Sequence, residues 1–116
     1  MEAARRADIA YIAGRLISER NSNNIYDYGR QGHTAITGTV SENRVQVYDH
    51  SRGAHITGSE RQFYDHGRNC HVTLRRNGNR FSGYDYGTMS HFSGHVSGRI
   101  VWVYDYGESG YSSHSI

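Results

Sequence analysis

Four histidines, His50, His55, His66 and His71, are the residues of this chain best placed to do chemistry. They stand in two adjacent copies of a repeated motif, where imidazoles paired on one face could ligate Zn, Ni or Cu. Among these four no H-x-x-x-H or H-E-x-x-H spacing occurs. His also stands at the same place in copies that carry Tyr as its neighbour, which points to ring packing instead of metal binding. Enzyme signatures are missing: there is no G-x-S-x-G, no P-loop, and no G-x-G-x-x-G after a strand. A Ser-His-Asp set can be drawn on paper from so many copies, and for that reason carries no weight. No catalytic residue, enzymatic activity or cofactor is implied.

The motif that holds the histidines is Tyr-Asp followed by a ring seven positions after the Tyr. Its copies are Tyr26-Asp27, Tyr48-Asp49, Tyr64-Asp65, Tyr84-Asp85 and Tyr104-Asp105, with His33, His55, His71, His91 and Tyr111 as the seventh residues. Successive Tyr residues are 22, 16, 20 and 20 positions apart. Repetition at this period indicates units that bury their apolar faces only against one another.

Two kinds of element must position these residues. Residues 2–19 read as an amphipathic helix, with Ile9, Ile12, Ala13, Leu16 and Ile17 forming a stripe. Gly14 is a weak interior choice, at about 1 kcal/mol against Ala. The polar run from Asn21 to Asn24 is expected to end the helix. Packing on its own chain or a bundle with copies of itself would both bury the stripe, and a homo-oligomer through this helix is the expected partner. The mixed charges of its polar face argue against lying on a membrane.

From Ile25 onward strict alternation takes over. Val45, Val47 and Asp49 share one face, opposite Gln46, Tyr48 and His50; Val101, Val103 and Asp105 repeat this opposite Trp102 and Tyr104. Turn signals between the strands include Asn77-Gly78 and Ser97-Gly98. The fold class is therefore mainly β: an N-terminal amphipathic helix and a meander of about ten short strands in tandem hairpins. The chain divides into residues 1–22, helix and linker, and 23–116, the hairpin repeat domain.

Counted from each Tyr as zero, position three is Gly29, Ser51, Gly67, Gly87 or Gly107, and position six is Gly32, Ala54, Cys70, Ser90 or Gly110. Both columns are small. Pairing position two with position seven would set three against six across the tightest part of the turn. Cys70 then reads as a small packing residue. Asp is disfavoured in strands, and a carboxylate accepting N–H groups at each turn explains its recurrence better than a cation-binding ring of acids.

Tandem hairpins headed by Tyr26-Asp27-Tyr28-Gly29, Tyr84-Asp85-Tyr86-Gly87 and Tyr104-Asp105-Tyr106-Gly107 resemble the four-fold β-flower domain of uncharacterised bacterial proteins. The similarity covers residues 24–116; Tyr48-Asp49-His50-Ser51 and Tyr64-Asp65-His66-Gly67 depart from it. The resemblance implies hairpin petals about a pseudo-four-fold axis and brings no known activity.

Composition bounds the remaining classes. The apolar share is 35% and there are ten Tyr, fourteen Gly and no Pro. With Leu and Ile so few, the Tyr faces are expected to form much of the core. A net charge of +2, spread evenly, lacks the basic face of a nucleic-acid binder. Eight His make the charge sensitive to mild acid. There is no transmembrane segment and no evident signal peptide, so cytoplasmic residence is the default. The expected role is a non-enzymatic structural or protein-interaction module that self-associates, its specific protein partner unknown. The alternative is a module that binds a small ligand, glycan or metal on the His/Tyr face, with Arg75, Arg76 and Arg80 at one hairpin tip meeting an anion.

Overall fold

A computed structural model describes all residues 1–116. The fold is mainly β, as the alternation predicts. Helix α1 (Ala3–Ser18) is followed by β1 (Asn24–Asp27), β2 (Gly32–Ser41), β3 (Arg44–Asp49), β4 (Ala54–Gly58) and β5 (Gln62–Asp65). The second half continues with β6 (Cys70–Asn77), β7 (Arg80–Asp85), β8 (Ser90–Ser97), β9 (Ile100–Asp105) and β10 (Gly110–Ser115). Consecutive strands pair antiparallel throughout. β1 then pairs with β10 through Tyr26↔Ser115 and Asp27↔His114, so the meander closes into a barrel. Closure removes the unpaired edges that an open meander of this length would present. Five motif hairpins go once round the barrel, one more than a four-fold arrangement would hold.

Alternation sorts the strands as read from the sequence. Val45, Val47 and Asp49 are buried on β3, as are Val101, Val103 and Asp105 on β9, while Tyr48 and Tyr104 point out. Motif turns gather at one end of the barrel and short connecting turns at the other. The turn after Asn77 has Gly78-Asn79 as its central pair, with positive φ only at Gly78 (62°), the type II′ pattern that suits twisted strands. The turn at Gly98-Arg99 is built the same way.

Helix α1 runs inside the barrel. Every residue from Ala7 to Leu16 is buried, whichever way its side chain points. Ile9, Ile12, Ala13 and Leu16 meet inward Val, Ile and Phe side chains from the strands in a single core of 22 residues, and half-buried Ile17 packs on it. The stripe expected to mediate self-association is covered by the chain's own strands. Helix α1 is accordingly the centre of the barrel, and exposed Glu19, Arg20 and Asn21 lie in the segment that connects it to β1. Gly14 is also explained, because a Cβ there would lie 2.8 Å from Val101 Cγ2 and 3.1 Å from Ile116 Cγ2. The helix stops at Glu19, whose left-handed φ of 58° lets its N–H donate to Arg15 O at 3.0 Å, ahead of the polar run expected to end it.

The helix also corrects the expected core. Because it fills the barrel with aliphatic side chains, the Tyr faces are not needed there. The motif tyrosines lie on the outer wall, and Tyr28, Tyr86, Tyr106 and Tyr111 are 48–73% exposed.

Candidate functional site on the outer wall

Each motif turn is closed by its Asp. In all five copies the Oδ1 of Asp27, Asp49, Asp65, Asp85 or Asp105 accepts the position-three N–H at 2.9 Å. In the first three copies it also accepts the position-four N–H at 3.2 Å. Position five takes a left-handed φ of 53–61° at Gln31, Gly53, Asn69, Met89 and Ser109. The carboxylate and this backbone kink together enclose a four-residue loop, so Tyr pairs with position seven and Asp with position six. The expected pairing of position two with seven is thus corrected. The two small columns do meet, but between neighbouring hairpins. A Cβ on Gly67, Gly87 or Gly107 would fall 2.4–2.7 Å from Ala54, Cys70 or Ser90 respectively.

Inside this end of the barrel the remaining Asp oxygens face a cluster of cations. Arg5 Nη1 lies 2.9 Å from Asp65 and its Nε 3.5 Å from Asp85; the Met1 amino group lies 2.5 Å from Asp105. Arg52 reaches Asp8 at 2.6 Å, Asp65 at 2.7 Å and Asp49 at 3.3 Å. The positive end of the helix dipole points the same way. Burial and the adjacent Asp49 hold the Asp8 carboxyl well above the usual range, toward the neutral form that can donate to Asp49. For Asp49 burial acts upward and is outweighed by hydrogen bonds from Asp8, Ser51 and the Arg52 N–H, which leave it below its ordinary value. Cys70 sits in the same layer, its Sγ accepting from Arg5 Nη2 at 2.8 Å. These groups are enclosed and neutralised by one another, and their work is to join the helix to five turns. The position-four arginines, Arg30 and Arg52 above all, were missed from the sequence; Arg at Tyr plus four in three copies was the available signal.

Outside, the same turns build five three-ring clusters. Each motif Tyr contacts the position-two ring and the position-seven ring with centroids 4.6–4.9 Å apart, nearly all edge-to-face. His50 and His55 both contact Tyr48, and His66 and His71 both contact Tyr64, so the four candidate ligands divide into two clusters about a Tyr. No group of three or more His, Cys, Asp or Glu side chains is placed to hold a metal ion. Further hydroxyls, unnoticed in the sequence, stand across from the motif tyrosines: Ser115, Thr37, Thr57, Thr73 and Ser93. Thr37 Oγ1 bonds His50 Nε2 at 2.9 Å and Thr57 Oγ1 bonds His66 Nε2 at 2.8 Å.

The charge of this wall is one-sided. The strands contain no acid apart from the five motif Asp, all of which are buried inside. Outward strand positions carry Arg44, Arg75 and Arg80 among rings, hydroxyls and amides. Grooves open where side chains are shortest, and one of about 500 Å³ lies over β6–β8 with Tyr84, His91 and Tyr106 on its rim. Such a surface can stack on flat or ring-shaped groups and hydrogen-bond hydroxyls.

Comparison with protein-family models, curated proteins and solved structures gave no match. No helix of the fold is long and apolar enough to cross a membrane.

Proposed function

We propose that the chain is a non-enzymatic interaction module that presents the outer wall of its barrel as a binding face. One observation carries this reading: the core is completed by α1 and inward aliphatic and Phe side chains, yet the wall keeps five clusters of half-exposed rings. Rings that a fold does not need for its core are available for contact, and Tyr offers large contact area at low entropic cost. The β-flower resemblance enters this proposal through the hairpin motif alone and adds no activity to it. Cytoplasmic residence stays as the working assignment. Self-association within this proposal would use the wall, and a monomer by sedimentation at high concentration removes it.

The test separates contact from folding. Replacing Tyr86, Tyr106 and Tyr111 together by Ser should leave a cooperative, folded barrel, because all three are more than half exposed. Wild-type protein should register on a glycan array or with single-stranded oligonucleotides, and the triple variant should lose that signal. Blank results for the wild type with both probe sets would remove the outer-wall reading.

A further inference from the structure

We propose that the groove over β6–β8 is a binding site for an acidic saccharide, a pyranose bearing a carboxylate; this rests on the outer-wall reading above and names its ligand. Ser82 and Ser93 pair across β7 and β8, and Arg75 continues the same row on β6. At the place of Ser82 the other hairpins carry Asn24, Gln46, Gln62 and Trp102, so the wall is lowest here. The floor is correspondingly small and hydroxylated. A second groove of about 320 Å³ shares Arg75, Ser82 and Ser93 and is bordered by Arg80. Each volume lies in the ~300–1,000 Å³ range of small-ligand sites.

The groove is open for a local reason. In the second and third copies the position-two ring is His, and it bonds the hydroxyl across from it. In the fourth copy that ring is Tyr86, which makes no such bond to Thr73; in the fifth it is Tyr106, whose hydroxyl accepts only a long 3.4 Å bond from Ser93, so the hydroxyl layer stays open. Arg76 is neutralised by Glu60 at 2.7 Å and Glu42 at 3.5 Å. Neither Arg75 nor Arg80 pairs with a carboxylate. Arg75 thus lines a hydroxyl floor rimmed by Tyr84, His91 and Tyr106, and Arg80 borders the adjoining groove that shares Ser82 and Ser93.

Each part matches one part of the ligand. The C–H face of a pyranose lies against a tyrosine ring, its hydroxyls exchange hydrogen bonds with Ser82 and Ser93, and its carboxylate takes a two-pronged bond from a guanidinium. The absence of any outward acid on the strands removes the repulsion that would oppose an anion.

Titration calorimetry of the full chain with a galacturonic acid tetramer, and with its uncharged methyl ester, tests this. The acid form should bind, weaken with added salt, and lose affinity about tenfold or more in an Arg75→Ala/Arg80→Ala variant, as expected for charged hydrogen bonds. Melting temperature should be unchanged in that variant, since both side chains are exposed. Equal binding of acid and ester, full affinity in the double variant, no heat with either tetramer, or binding of adenosine monophosphate in place of the tetramer would overturn the saccharide assignment. In each of these cases the outer-wall reading survives if the glycan or oligonucleotide panels give a signal, and falls only if they are blank.

Discussion

The inner and outer faces of the motif turns are built from adjacent residues yet constrained in opposite ways. Inside, five Asp residues no more than 3% exposed share cations from α1 and from the turns themselves. Removing one member leaves its partners charged, dry and unpaired. Outside, five Tyr side chains lie between two rings each, in contact with water on one side. Removing one of those exposes neighbours that water can already reach. One face therefore tolerates almost nothing and holds the fold, whereas the other tolerates change and is free to vary with a ligand.

This contrast can be broken most directly at Arg5, which is 1% exposed and lies between Asp65 and Asp85. Arg5→Ala should cost about 3–5 kcal/mol by denaturant titration, the usual result of orphaning a buried charge. A cost below about 1 kcal/mol would mean the interior network does not hold the helix in place.

The seam between β1 and β10 gives the next largest effect. His114 is fully buried, and burial drives its pKa down to about 4, with Arg6 and Arg30 acting the same way against the pull of Asp27. A base whose folded pKa is depressed takes up its proton more readily when unfolded. Its contribution is therefore complete above about pH 6.5 and is lost as the pH falls toward 4. The loss is expected to reach roughly 3 kcal/mol. Melting temperatures measured across this window should fall with acid, and His114→Leu should flatten the slope.

The outer wall should give the smallest change. Tyr48→Ala removes two ring contacts at 4.8 and 4.6 Å, which corresponds to about 1–2 kcal/mol, well short of Arg5→Ala. A loss as large as that of the interior variant, in the same titration, would show the rings to be structural and undo the contrast.

Much of this was legible residue by residue. Asp49 and Val47 sharing a face, opposite Tyr48, follows from the two-residue period of a strand, as does the outward path of Tyr104 beside Trp102. The Asp column was legible too, because a carboxylate one residue before a turn has backbone donors within reach. The turn register was not. Pairing depends on the left-handed residue at position five, occupied by Gln31, Asn69, Met89 and Ser109 as well as Gly53, and such a mixed column gives no signal. The groove at Ser82 and Ser93 was out of reach for another reason: it exists only where two short side chains from separate strands face each other.

By itself, then, the sequence determined the helix, the ten strands, and which side chains share a face. All of these are set by local periods and by turn residues a few positions apart. It could not determine which face looks inward, because alternation is symmetric between the two sides of a sheet. The tertiary structure decided that when the barrel closed on Tyr26↔Ser115 and Asp27↔His114 around α1. The helix supplied the apolar filling and the cations, so valines and aspartates turned toward it and the tyrosines were left for the outside.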